Sequence, residues 1–476
     1  MKILFIEPNI SGNTIMPSLS IAALKSFINN RTSHDARTLD LTFNKNRWKE
    51  RVAGYINESK PDIVGLSVLS FNLGQSLDIA AYIKKNAKVK IIFGGIHPTL
   101  LPEKVINHDE VDYVCVGEGE MTLKELMDND LDFTGVKGLW AKDGKEIIKQ
   151  DDRNVMDDLD ALPFPDWSEF DMDKFFVVNN DHFPIMASRG CPYDCTYCSN
   201  HALKKRMKGR YVRFRHVDNV IREIQERLAT YKRGTFRYLF FYDDTFILNS
   251  EYVHEFCGKY REAGLHKILK WNVNVRANLV KNDMIKEMKA SGCYEVRMGV
   301  ESANDFLRND IYKRNMSKEE IEQAILIIKN NGLRLRLQFM IGAPYETREM
   351  MQESFDMAKK AKADYILFPV LMPLPCTEIN KICKKEQLIE EDGFTDSIQM
   401  YTSPVMKTKY LTRSDIKGFV RKVRLYQIRK YFLEGLGIKG VFFIWDLIVF
   451  FLYYKPRYKL NIDNAWRFTI GKYNLA

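Results

Sequence analysis

Ser188-Arg-Gly-Cys-Pro-Tyr-Asp-Cys-Thr-Tyr-Cys-Ser199 sets Cys191, Cys195 and Cys198 in a C-x3-C-x2-C array. Three thiolates in one short loop suit three corners of a cubane iron–sulfur cluster, because soft sulfur prefers iron and a tight loop lets all three converge. No fourth cysteine follows at ferredoxin spacing, so one iron is expected to stand open to a ligand. Structural zinc asks for four ligands in paired sets, and no second pair lies nearby. Tyr197 stands just before the third cysteine.

Outward from the loop, Pro184-Ile-Met-Ala-Ser188 reads as the strand that delivers it. A helix is expected over Val217–Ala229, with Asp218 as its cap. Five further strands are expected: Tyr238–Asp244, Trp271–Arg276, Glu295–Glu301, Leu335–Gly342 and Tyr365–Phe368. Helical stretches alternate with them, the pattern of a parallel α/β arrangement. Asp243, Asp244, Arg276, Glu301 and Gly342 fall at strand C-termini, where barrels carry their reactive groups.

The N-terminal part alternates in the same way. Lys2–Ile6, Ala36–Leu41, Asp62–Leu69, Lys90–Phe93 and Tyr113–Val116 read as strands, with helices across Ser18–Phe27 and Leu77–Lys85. An open parallel sheet binds ligands at the carboxyl ends of its strands. There lie Ser67 and Leu69, Gly94-Gly95, and Gly117-Glu118-Gly119-Glu120. Glycines at such a place let backbone approach a bulky ligand that a side chain would block. Trp140–Ile148 reads as a hairpin turning at Asp143-Gly144.

The 476 residues suffice for two to three domains. Eight cysteines in so long a chain are no disulfide framework and argue for a reducing compartment. Met1-Lys-Ile-Leu-Phe-Ile-Glu-Pro8 is too short in its apolar run for a signal peptide, so a cytoplasmic, low-oxygen setting is expected. The net charge of +10 is uneven: Val405–Ala476 holds 15 Lys/Arg against 4 Asp/Glu. Within that tail Val441–Tyr454 is intensely apolar and aromatic and is flanked by cations. Too short and interrupted to span a bilayer, it suits either an in-plane anchor on an anionic leaflet or a buried helix capping the barrel. No RNA-binding module accompanies the charge, and no nucleic-acid partner is expected.

The cysteine spacing and Tyr197 resemble the radical S-adenosylmethionine enzymes. The glycine loops, with Gly95-Ile-His-Pro-Thr99 and Asp160-Ala-Leu-Pro-Phe-Pro-Asp166, resemble the cobalamin-binding domain found upstream of many of them. The resemblance implies an α/β fold: a Rossmann-like cobalamin-binding domain over 1–130, a linker over 131–182, a partial (β/α)6 TIM-type barrel over 183–380, and a mainly helical tail over 381–476. It implies a 4Fe–4S cluster on Cys191, Cys195 and Cys198. S-adenosylmethionine would be held near Tyr197, Asp243, Asp244, Glu301 and Gly342, and cobalamin at Ser67, Leu69, Gly94, Gly95, Gly117, Glu118 and Gly119. The D-x-H-x-x-G motif that supplies a histidine to cobalt elsewhere is missing from Glu7–Asn13, and His34 and His97 do not replace it by spacing. Cobalamin is therefore expected to bind without a protein histidine. Gly342-Ala-Pro-Tyr-Glu-Thr347 resembles the family's G-x-P-G-E-T turn, with Tyr345 where glycine is usual.

The activity implied is methyl transfer to an unactivated carbon, with a reductant such as flavodoxin or ferredoxin, and the apolar tail favours a lipophilic substrate. Radical oxidation or ring closure is the alternative within the architecture. A non-catalytic iron–sulfur or cobalamin sensor is the alternative outside it.

Overall fold

The computed structural model describes residues 1–10, 16–232, 234–389 and 406–434. It divides into two compact units, one built on Met1–Phe175 with Ser199–Arg213, the other on Phe176–Cys198 with Phe214 onward.

In the first unit, β1 (Lys2–Glu7), β2 (Asp35–Asp40), β3 (Ile63–Ser67), β4 (Lys90–Gly94), β5 (Tyr113–Cys115), β6 (Leu139–Asp143) and β7 (Glu146–Lys149) form one sheet, ordered β2-β1-β3-β4-β5-β6-β7. The first five are parallel. Their near-continuous apolar runs are what a sheet covered on both faces requires. Leu4, Ile6, Val64, Leu66, Ile91 and Phe93 lie in one buried cluster with Ile79, Ala80 and Ile83 of helix Leu73–Asn86. The expected hairpin is present as β6 and β7, with Gly144 at φ +59° in its turn, and it extends the sheet antiparallel to β5. Helices beyond those expected include Trp48–Ser59, which packs Trp48, Tyr55 and Ile56 beside buried Val52, Gly119–Asp128, and the five-residue helices Ile96–Leu100 and Pro102–Ile106.

In the second unit, β8 (His182–Ile185), β9 (Tyr238–Phe241), β10 (Lys270–Val275), β11 (Cys293–Glu301), β12 (Arg334–Phe339) and β13 (Tyr365–Leu367) form a parallel sheet in sequential order. Helices Val217–Thr230, Ser250–Glu262, Asn282–Ala290, Lys318–Asn330 and Arg348–Lys360 fall between successive strands. This is the predicted partial barrel. Three of these N-termini are set by side chains: Asn249 accepts from Tyr252 N, Ser317 and Glu320 close a capping box, and Thr347 accepts from Met350 N. One predicted cap is corrected. Helix Val217–Thr230 starts after His216, and Asp218 lies in the first turn, 2.6 Å from Lys259 Nζ.

The segment 441–454 lies outside the described residues. Among those described, no helix is long and apolar enough to cross a membrane.

Candidate active site

The cysteine loop leaves β8 through Gly190, at φ +88°. Thr196, at its centre, is buried and donates from Oγ1 to Ile311 O at 2.6 Å and from N to Tyr312 O at 3.1 Å. Ile379 N donates to Thr196 O at 3.0 Å. The loop is thus clamped on both sides. Cys198 N donates to Cys195 O at 3.1 Å, which closes the turn. Cys195 is buried, and Cys191 and Cys198 are half-buried.

Two buried guanidiniums converge on Cys195 Sγ: Arg276 Nη1 at 3.7 Å and Arg314 Nη1 at 3.6 Å. The Arg276 guanidinium lies 3.9 Å from the ring centroid of Tyr193, with Nε donating to Asn278 Oδ1 at 2.9 Å. Arg314 donates also to Tyr197 OH (3.2 Å) and to Gly299 O, and Tyr197 OH donates to Glu301 Oε1 at 3.0 Å. Burial works against the Arg314 charge, yet Tyr197, Glu301 and Cys195 hold its pKa above the ordinary value. Burial pushes the Glu301 carboxyl up, with Arg314 and Tyr197 opposing.

Backbone geometry aims Glu301 at this group. It sits at φ +69°, beside a register shift between Gly299 and Glu301 in the β11–β12 ladder. Such an irregularity re-aims a side chain. A Cβ on Gly299 would lie 2.5 Å from Glu301 Oε1, so only glycine leaves that carboxylate its place.

Among the described residues no three His, Cys, Asp or Glu side chains gather around one ion. A cubane asks each sulfur for a different iron. Three thiols on a clamped loop, beside two cations that offset thiolate charge, fit that group.

Other predicted residues divide. Asp243 is at the expected strand end, but it is 1% exposed. It accepts from Ala187 N at 3.0 Å and from Ser188 Oγ. It therefore anchors the root of the cysteine loop, while its neighbour Asp244 is exposed. Gly342 has φ +84°. Glu346, 0% exposed, accepts from the N–H groups of Gly342 and Ala343 and so shapes that turn. Arg314 and Tyr193 were not singled out in the sequence. Lys313-Arg314 reads there as ordinary surface charge, and nothing local marks Tyr193.

Burial raises the Glu346 carboxyl from 4.5 to about 8, against the pull of the two N–H donors. A carboxyl raised on folding contributes stability that is complete below the unfolded value and lost as pH climbs through the folded one. Melting temperature is expected to decline in the wild type between pH 4.5 and about 8, and Glu346→Gln, which keeps an acceptor oxygen, should flatten that decline. Thermal scans across that window check this.

In the first unit the predicted cofactor residues gather at the carboxyl ends of β3, β4 and β5, with Ser67 opposite Gly94 in the ladder. Gly95 has φ +103°, and a Cβ there would lie 2.9 Å from Val68 O and 3.0 Å from Val68 N. Gly117, at φ +93°, would meet only the Met207 methyl, at 4.0 Å. Thr99 Oγ1 accepts from Gly117 N at 3.0 Å. Gly95 is thus needed for close packing on the Val68 backbone, while the open space beside Gly117 fits the approach of a bulky planar ligand to the loop. The Glu118 carboxylate takes a bidentate fork from Arg213 (2.7 and 2.9 Å) and the N–H of Met156 at 2.8 Å, which ties the loop down. His34 cannot serve the cradle: its ring nitrogens reach the N-terminal amine (3.1 Å) and Asp128 (2.9 Å). His97 is buried, with Nδ1 2.9 Å from Ser70 Oγ.

A parallel α/β sheet with a glycine cradle and a partial barrel bearing a three-cysteine loop define an iron–sulfur radical enzyme with a corrinoid domain. Residues 9–127 match the B12 binding domain family and residues 185–358 the radical SAM superfamily. An uncharacterized methyltransferase of Pyrococcus horikoshii is 30% identical over 461 residues, covering 93% of this chain and 95% of that one. The anaerobic magnesium-protoporphyrin IX monomethyl ester cyclase of Cereibacter sphaeroides is 27% identical over 421 residues, 84% of this chain and 66% of that one. The solved structure of OxsB, a cobalamin-dependent S-adenosylmethionine radical enzyme, superposes with a TM-score of 0.70 at 16% identity, covering 100% of this chain and 79% of that one. The chain belongs to the cobalamin-dependent radical S-adenosylmethionine enzymes.

Proposed function

We propose that this enzyme transfers a methyl group to a carbon that carries no activating substituent. The observation that carries the reading is the pairing, in one chain, of a clamped three-cysteine loop with a glycine cradle for a corrinoid. When bound, the cluster with S-adenosylmethionine supplies hydrogen-atom abstraction and the corrinoid supplies a transferable methyl group.

The chain's own part is positional and electrostatic. Cys191, Cys195 and Cys198 hold the cluster, and Thr196 fixes the loop. Arg276 and Arg314 offset charge at Cys195 and exclude water from it. Glu301, oriented by Arg314 and Tyr197, and exposed Asp244 present carboxylates to the hydroxyl and ammonium groups of the cosubstrate. Gly342, packed where a Cβ would stand against Ile416 and Val370, shapes the turn that would offer its backbone to a flat base. Ser67, Leu69, Gly94, Gly95, Gly117 and Gly119 line the corrinoid cradle. Ring closure or oxidation is the second reading, favoured by the likeness to the cyclase.

The test is anaerobic reconstitution with iron, sulfide, cobalamin, S-adenosylmethionine and a one-electron reductant such as flavodoxin or ferredoxin. 5′-Deoxyadenosine together with S-adenosylhomocysteine supports methyl transfer; 5′-deoxyadenosine alone moves the reading to cyclisation. Neither product from material with an intact cluster leaves a sensor.

Gly95→Ala is expected to lose its corrinoid, because alanine meets both the strained φ and the Val68 backbone. A penalty of about 1–3 kcal/mol is typical of such backbone strain. The corrinoid-to-protein absorbance ratio after desalting reads it out.

The basic tail supports a cytoplasmic protein that docks on an anionic membrane face through 441–454. Flotation with anionic liposomes should recover the full chain and fail to recover a truncation before Leu433.

A further inference from the structure

The barrel sheet shows two faces along each strand. In β12, Leu335, Leu337 and Phe339 are buried, while Arg334, Arg336 and Gln338 alternate on a half-open face. In β11 the same alternation places Arg297 and Gly299 on that face, with Arg297 opposite Arg336, ahead of the register shift that re-aims Glu301. Three guanidiniums thus share it, and the acidic partner there is Glu295.

Glu295 is only 3% exposed, and it engages both central arginines. Its Oε1 lies 3.1 Å from Arg297 Nε and 3.2 Å from Arg336 Nε, and its Oε2 accepts from Arg336 Nη2 at 3.3 Å. The arginines are less covered than the carboxylate, at 18% and 22% of side-chain surface. Their planes are fixed by aromatic rings: Arg297 lies 4.2 Å from the Phe240 centroid and Arg336 4.5 Å from that of Tyr365. Among the described residues no acceptor reaches Nη1 or Nη2 of Arg297, or Nη1 of Arg336.

The charge therefore does not close. Three cations face one anion on a largely enclosed surface, and rigidly held N–H forks stand without acceptors. His182, on β8, adds no positive charge, since burial drops its pKa to about 3. Partly buried guanidiniums with unused donors are costly unless an anion arrives, and a planar fork matches carboxylate and phosphate oxygens.

Position gives the site its use. Glu301, four residues along β11 from Arg297, touches Tyr197 of the cysteine loop. At roughly 3.3 Å per residue the two levels are about 13 Å apart. An anion held low on this face would set a carbon further along the same molecule at the level of the cysteine loop.

We propose that Arg297 and Arg336, with Arg334 beside them, bind a carboxylate or phosphate group of the substrate and hold its reacting carbon toward the cysteine loop. This rests on the enzymatic reading above and narrows its substrate to an elongated anionic molecule.

The test titrates anaerobically reconstituted holoenzyme with hexyl phosphate, hexanoate and hexanol by calorimetry. One or both anions should bind at least tenfold more tightly than the alcohol, and the tighter one identifies the group. Arg297→Gln/Arg336→Gln should abolish that preference, and Arg297→Lys/Arg336→Lys, which keeps the charge, should retain part of it. Iron content and circular dichroism verify each variant's fold. If the glutamine pair does not fold, Arg297→Gln alone should weaken anion binding and leave hexanol unaffected. Equal binding of all three probes, or anion binding indifferent to both glutamine variants, would overturn the proposal. Formation of 5′-deoxyadenosine by the same wild-type preparation is measured in parallel. Its absence would count against the enzymatic reading, while the anion titration stands on its own.

Discussion

Cys195→Ser is expected to leave the chain without its cluster and without 5′-deoxyadenosine formation. Of the three thiols this one is buried, and it alone receives both Arg276 and Arg314. A serine hydroxyl is a hard, neutral ligand, so the site loses a soft iron ligand and the anion that balances two buried guanidiniums. The loss of product should exceed the roughly 10–100-fold that removing a ligand's hydrogen-bond partner costs. Iron and sulfide analysis after anaerobic reconstitution, with the spectrum of the reduced centre, checks the first half. Product assay checks the second. A full complement of iron in the serine variant would contradict the assignment.

Arg314→Ala should be the most damaging change outside the cysteines. It removes one fork that serves Cys195 Sγ, Tyr197 OH and Gly299 O, and it strips Glu301 of its nearby cation. Breaking such a buried pair from one side costs about 3 kcal/mol, because Glu301 loses its main cation and keeps only the weaker pull of Arg276. Activity should fall about 10–100-fold. The reduction potential of the cluster should move to more negative values, since a positive charge beside a ligating sulfur favours the reduced state. Arg314→Lys restores charge without the fork, so it should recover more of the potential than of the melting temperature. A spectroscopic redox titration and a thermal melt separate the two effects.

Much of the architecture was legible because local signals sufficed. Runs such as Lys2-Ile-Leu-Phe-Ile6 and Tyr238-Leu-Phe-Phe241 are strands whatever surrounds them, and Asp143-Gly144 turns a hairpin by its own backbone preference. Asp218 misled because an acidic residue is equally at home inside the first turn as at the cap, and Lys259 pairs with it there. Asp243 and Glu118 show a different limit, because their partners within the chain could not be read from the sequence. Their places in the loops were legible, but a carboxylate beside a ligand loop reads the same whether it faces the ligand or the chain. Ala187 N and Ser188 Oγ in the one case, and Arg213 in the other, decided that.

By itself the sequence determined the three sulfurs, their spacing and the alternation of strand and helix, since these depend on covalent order and on residue-scale propensity. Only the tertiary structure decided which cations meet Cys195, that Glu301 takes a left-handed backbone to reach Tyr197, and that Arg297 and Arg336 share one face with a single carboxylate between them. The physical reason is range: charge balance and hydrogen-bond pairing are settled among residues that lie far apart along the chain, as Cys195 and Arg314 do, and packing alone brings them within reach.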